Sequence, residues 1–224
     1  MKTDLLLIGA GGHAKVLIDS LSHQPQVNIL GILDASGERV GEELLGVKIL
    51  GTDDAIKNYS PAKVQLVNAL GSVDIPALRK KVYEHFKALG FTFYTVIHPT
   101  ACIAKSCTIG EGCQILAGSI IQPDCVLGAN VIINTGATLD HDCQIGDHTH
   151  IAPGAVLSGT VSIDAESHIG TRAVIIQNIH LGRQCLVGAG SVVINNLKAG
   201  SKVVGVPAKM IATAREDLSG EELA

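Results

Sequence analysis

Residues 103–145 read IAKSCTIGEGCQILAGSIIQPDCVLGANVIINTGATLDHDCQI. An aliphatic residue returns at every sixth position, and the beat runs unbroken from Ile97 through Ile109, Ile121, Ile133, Ile145, Leu157, Ile169 and Leu181 to Val193. Four positions after each stands a mostly small residue, among them Ala101, Cys107, Cys113, Ser119, Cys125, Ala137 and Cys143. A strand alternates with period two and a helix with 3.6, so a period of six belongs to neither; it is the mark of a parallel β-helix, where each repeat gives one short strand and one turn. Three repeats close a triangular coil of 18 residues, and Gly110, Gly128, Gly146, Gly182 and Gly200 stand on that grid with Asp164 in the remaining place. They are expected at corners that need a permissive backbone. Cys107, Cys113, Cys125, Cys143 and Cys185 occupy the small inward slot. They read as compact core residues, and without a C-x-x-C pair neither a disulfide framework nor zinc is expected.

Working outward, residues 1–96 lack this beat. Apolar runs (DLLLIGA, NILGILD, VKIL, KVQLVNALG) alternate with helical patterns (HAKVLIDSLSH, IPALRKKVYEHFKALG), which argues a small α/β domain with a mostly parallel sheet. The expected organisation is a Rossmann-like α/β domain over 1–96, a β-helix over 97–204, and a tail or cap over 205–224 whose acidic end is a candidate short helix.

Composition narrows the partners. The net charge is −4 and no Lys/Arg cluster forms a basic stripe, which argues against nucleic acid. LLLIGA is too short and wrongly flanked for a signal peptide or membrane span, so a cytoplasmic protein without membrane association is expected. Aromatics are only 3 % of the chain, too few for a core or interface built on them.

Two stretches carry chemistry. LLLIGAGGHAK sets Gly9, Gly11 and Gly12 between a strand and a helix, where free backbone N–H groups and a helix N-terminus hold phosphate. Asp34, closing NILGILD, is the candidate ribose contact, and the domain's size favours one nucleotide over two. His13 follows the glycines as a candidate substrate contact. The second stretch, NTGATLDHDCQIGDHTH (134–150), concentrates acid and imidazole in an otherwise aliphatic wall. The repeat register turns Leu139 and Cys143 inward and Asp140, His141 and Asp142 outward. Either aspartate can hold one ring nitrogen of His141 and leave the other as a base. His150 lies half a coil away, roughly 15 Å across the prism, so the two histidines meet only between chains; a trimer with composite sites is expected. His150 and His168 are one coil apart, but a catalytic metal needs three converging imidazoles, and no two histidines of the helix stand five residues apart as in zinc-dependent β-helices, so no metal is expected.

Taken together, GAGGHAK, the LD at 33–34, the unbroken hexapeptides, NTGATLDHDC and GVPAK resemble the bacterial sugar acyltransferases that include the sialic acid O-acetyltransferase and the N-acetyltransferase of the UDP-bacillosamine pathway. The likeness spans nearly the whole chain. It implies a left-handed β-helix and acetyl-CoA as acyl donor. It also implies His141 as general base with Asp142 as its supporting acid, and Asn134 shaping the substrate end. His150, Gly159 and Lys209 are implied along the cofactor, and Gly11, Gly12, His13 and Asp34 in a nucleotide-sugar pocket. The implied activity is N-acetylation of a UDP- or dTDP-linked 4-amino-4,6-dideoxy sugar for a surface glycan. O-acetylation of a sugar such as sialic acid, or a non-catalytic module binding a biosynthetic partner, are the competing readings. Two departures stand out: Asp142 replaces a longer glutamate, and Ala35 replaces a second acid after the loop aspartate, which puts uridine recognition in doubt.

Overall fold

The computed structural model describes residues 2–213. The first domain runs β1 (Thr3–Ile8), α1 (Gly12–Ser22), β2 (Val27–Leu33), β3 (Glu43–Leu44), β4 (Val47–Gly51), a 3-10 turn, β5 (Val64–Asn68) and α2 (Ala77–Ala88). Its sheet has the order β3-β4-β2-β1-β5, parallel except for β3 against β4. β1 is an interior strand, and its aliphatic run does not alternate: Leu5, Leu6 and Leu7 are all fully buried, as a strand covered on both faces requires. On one side α1 sets Ala14, Leu17, Ile18 and Leu21 against the sheet and against Val96, Leu116 and Ile132 of the following domain. On the other, α2 packs through Tyr83 and Phe86 with Phe91 and Phe93. This continuous packing holds the two domains in one orientation.

From Val96 onward each repeat is a two-residue strand followed by a turn, and strands one coil apart pair in parallel. Three faces result. The first carries Gln114, Ile132, His150, His168 and Leu186 outward, and the N-terminal domain covers part of it. The second carries Cys102, Ile120, Thr138, Val156, Val174 and Val192. The third carries Thr108, Val126, Gln144, Ser162 and His180. Inside, the aliphatic column and the small-residue column form one core, with Cys113, Cys125, Cys143 and Cys185 buried as free thiols. Ile97 alone of the column is exposed, since no coil stacks beneath it.

The glycine grid has a different cause from the one expected. The residues in the left-handed region recur three positions after the aliphatic: Gly112, Gly118, Asp124, Asn130, Gly136, Asp142, His148 and onward. Gly110, Gly128, Gly146 and Gly182 are not among them. What excludes a side chain there is crowding between coils: a Cβ on Gly146 would stand 2.5 Å from the Ala165 nitrogen, and one on Gly182 2.6 Å from that of Ala199. Gly200 keeps the 18-residue spacing in sequence but is left-handed at φ 72°, because it falls three positions after Leu197, the partner of Leu181. The final coil is two residues short, so Leu181 pairs with Leu197 and Val187 with Val203. The segment Ser201–Val204 then turns back through Lys209–Thr213 as an antiparallel pair. The acidic stretch read as a candidate helix lies outside the described residues. Among those residues no helix is long and apolar enough to cross a membrane.

Candidate active site

The glycine-rich turn follows β1. Gly9 takes φ 103°, the one position here that demands glycine for its backbone. Gly11 and Gly12 have open space where a Cβ would project, and they line a cleft of about 620 Å³ with His13, Val16, Leu70, Gly71, Ser72, Asn134 and His150. A second cleft of about 380 Å³ shares Ser72, Asn134 and His150 and continues past His168 and Gly170 to Gly188 and Ala189. One trough therefore runs from the glycine-rich turn along the first face towards the C-terminal coils.

Asp34 serves the turn itself: Oδ2 accepts the Ala10 N–H at 2.7 Å, and Oδ1 accepts the Ser36 hydroxyl at 2.6 Å. The Ser36 hydrogen bond, with that of Ala10, holds its carboxyl below the ordinary range, so it is charged at neutral pH. Arg39 donates to the Ala10 carbonyl from the same rim.

His13 is neutral, and its tautomer can be read. Gln114 Nε2 donates to the Asn68 carbonyl at 2.7 Å, which turns Gln114 Oε1 towards His13 Nε2, also at 2.7 Å. His13 Nε2 thus carries the proton and Nδ1 keeps the lone pair. Burial, with the positive charge of Arg79, pushes its pKa down to about 4. Arg79 is fully buried and donates to the carbonyls of Asn68 and Leu70, fixing the loop that forms the cleft wall; burial lowers its own pKa to about 9. His150 is buried, held below the ordinary histidine value by that burial, by His168 and by Arg79. Its Nε2 meets Asn134 Nδ2 at 3.0 Å, and its Nδ1 meets Ser72 Oγ at 2.8 Å.

His141 lies elsewhere, at the corner between the second and third faces. His141 and Asp142 form the centre of a turn whose second central residue is left-handed, with Asp142 at φ 60°; aspartate tolerates that conformation better than most side chains. The ring is half exposed. Its Nδ1 donates to Asp142 Oδ2 at 2.7 Å, while Asp140 Oδ1 accepts the His141 main-chain N–H at 2.8 Å. Of the two aspartates, Asp142 therefore holds the imidazole and Asp140 the backbone. The Asp142 hydrogen bond raises the His141 pKa, and Nε2 is left with the lone pair.

Gly159 sits one coil on, directly against that ring: a Cβ there would stand 2.6 Å from His141 Nε2. Gly159→Ala is expected to tilt the imidazole off the wall and lower kcat roughly 10- to 100-fold, since ångström-scale misplacement costs that much. The ring is half exposed and can yield without moving the coil, so the melting temperature should not change; a parallel fall in melting temperature would mean that the coil, not the ring, had been disturbed.

The structure thus gathers Gly11, Gly12, His13, Asn134 and His150 into one trough, with Asp34 beneath the turn. His141, Asp142 and Gly159 form a separate cluster. Lys209 lies at the return strand, paired with Val204. Gln114, Ser72 and Arg79 were not legible as site residues, because nothing in the repeat shows which face the other domain covers. The only His/Asp group with gathered ligand atoms among the described residues, Asp19, His23 and His98, lies at the far end of α1 from the glycines and takes no part in the trough.

Comparison with known proteins follows this division. Residues 4–86 match the model of the PglD N-terminal domain, and 106–141 and 124–159 match that of the bacterial transferase hexapeptide (six repeats). No curated protein matches the chain. Among solved structures, a His→Asn variant of perosamine N-acetyltransferase from Caulobacter crescentus, in complex with CoA and GDP-perosamine, is 35 % identical over 93 % of this chain and 97 % of its own, with a TM-score of 0.87. The acetyltransferase domain of PglB from Neisseria gonorrhoeae is 35 % identical over 94 % and 100 %, at 0.86. WeeI from Acinetobacter baumannii is 26 % identical over 92 % and 99 %, at 0.84. The chain belongs to the bacterial sugar acyltransferases that join a PglD-type N-terminal domain to a left-handed β-helix of hexapeptide repeats, and it is an acyltransferase of the sugar N-acetyltransferase type.

Proposed function

We propose that this enzyme transfers the acetyl group of acetyl-CoA to the amine of a nucleotide-linked amino sugar, in sites shared between subunits of a cyclic trimer, with His141 as general base. The observation that carries this reading is the position of the two clusters on either side of the second face. One edge of that face is the corner of Asn134–Gly136, which opens on the trough; the other edge is the corner of His141. The face between them is mostly β-branched aliphatic (Ile120, Val156, Val174, Val192), with Ile120 and Val156 each 37 % exposed. Packed around a threefold axis, such a face sets the His141 corner of one chain against the trough of the next, as a heterologous cyclic contact does.

The chemistry then follows. The trough takes the nucleotide diphosphate at the backbone N–H groups of Gly11 and Gly12, where the α1 N-terminus favours an anion. Neutral His13 offers Nδ1 as an acceptor for a sugar hydroxyl or amine proton. The amine attacks the thioester carbonyl, His141 Nε2 takes the proton that the nitrogen sheds, and the C–S bond breaks as the imidazolium returns that proton to the departing sulfur, releasing CoA thiol and the amide. Asp142 balances the imidazolium that forms. Support for the acceptor class comes from the relatives, whose structures hold CoA and GDP-perosamine. Ala35, where the resemblance leads one to expect a second acid, favours a nucleotide other than uridine.

Thiol release from acetyl-CoA, measured against UDP-, dTDP- and GDP-linked amino sugars beside free hydroxyl sugars, tests the reading. Turnover is expected with an amino sugar on one nucleotide only. Turnover confined to hydroxyl sugars, or none with any acceptor, overturns it.

A further inference from the structure

The trough contains one more ordered chain of groups. Asn134 Oδ1 accepts the Thr135 N–H at 2.8 Å, so the amide cannot be reversed and Nδ2 is the atom facing His150 Nε2. An N–H pointing at Nε2 makes that nitrogen the acceptor, which puts the His150 proton on Nδ1. Nδ1–H in turn points at Ser72 Oγ, 2.8 Å away. The Ser72 hydroxyl has accepted one hydrogen bond and has one proton to give, and the next acceptor in reach is His168 Nδ1 at 3.4 Å. His168 consequently holds its own proton on Nε2. The two rings stand edge to face, 4.9 Å between centroids, one coil apart on the first face. Burial lowers both pKa values, so each ring is neutral and its single proton has a definite place.

We infer that Ser72 and His168 are positioning residues for the acyl donor: the chain Asn134–His150–Ser72–His168 sets the direction of every proton, so that His168 presents Nε2–H as a donor to a carbonyl of the pantetheine arm in the trough between His150 and Ala189. The inference rests on the proposed use of acetyl-CoA. Pantetheine carries two amide carbonyls and no charge, and a neutral imidazole N–H suits such an acceptor where a cation would be costly to bury. Ser72 belongs to the N-terminal domain and the two histidines to the β-helix, so this hydroxyl joins Gln114 as a link between the two domains along the trough.

The test separates a hydrogen bond from mere packing. His168→Leu keeps the bulk and removes the donor; the KM for acetyl-CoA is expected to rise about 10-fold, the worth of one good hydrogen bond, with kcat little changed. His168→Gln places an amide N–H near the Nε2 position and should recover most of that loss. Ser72→Ala should raise the same KM. Imidazole nitrogen NMR on histidine-labelled wild-type protein, assigned with these variants, should find His150 protonated at Nδ1 and His168 at Nε2. An unchanged KM in His168→Leu, no recovery in His168→Gln, or the opposite tautomers in the native enzyme would each overturn the inference. If no acceptor is acetylated at all, the proposed function fails, yet the tautomers and the calorimetric affinity for CoA still decide this point.

Discussion

His141→Ala is expected to lower kcat by about 100-fold or more, the usual loss when a general base is removed, while affinity for acetyl-CoA is expected to stay as it was, because in the proposed mechanism the ring meets the reacting amine and not the carrier. The pH profile gives the sign. A base works unprotonated, so the rate climbs as pH rises through the His141 pKa, and the Asp142 hydrogen bond places that limb above the ordinary 6.5. Asp142→Asn removes the carboxylate that favours imidazolium, so the limb moves to lower pH and the plateau falls. Steady-state rates across pH for the native enzyme and both variants check this. A His141→Ala enzyme within a few-fold of native, or a limb that stays in place in Asp142→Asn, would remove His141 from the mechanism.

Mixing two dead enzymes is expected to produce a live one. His141→Ala lacks the base but keeps an intact trough; His150→Gln keeps the base but spoils the trough. If each site takes its base from one subunit and its trough from the next, random reassembly of equal amounts should return about a quarter of native activity, the chance that one site draws the sound half from each parent. Sites confined to one chain would return nothing. Val156→Arg, which puts charge on the aliphatic second face, should yield monomers by sedimentation and lose activity along with assembly, since half of each site departs with the neighbour. An active monomer would refute the shared site as firmly as failed complementation.

Much of the architecture was open to reading from residue order. The six-residue beat named the β-helix and its inward columns, and the same register put His141 on the outside. The wider prediction, a Rossmann-like domain joined to a left-handed β-helix, agrees with the structure and its relatives. The glycine grid shows where such reading stops. Its period was plain, but its cause was assigned to backbone conformation, and at Gly110, Gly128, Gly146 and Gly182 the cause is a neighbouring coil whose atoms would stand 2.2–2.6 Å from a Cβ. Spacing along a chain says which positions are equivalent, not what stands opposite them. For the same reason the two aspartates beside His141 were indistinguishable until the left-handed backbone at Asp142 turned its carboxylate towards Nδ1 and left Asp140 facing the main chain.

Sequence by itself determined the repeat, the core it fills and the presence of a glycine-rich turn, because each depends on local periodicity and on which side chains avoid water. Tertiary structure alone decided that Gln114 orients His13, that Arg79 lies beneath the trough, and that Ser72 links two imidazoles one coil apart. Those relations join groups far apart in the chain, and their strength depends on distance and burial once the domains have packed together, quantities that no spacing in a linear sequence contains.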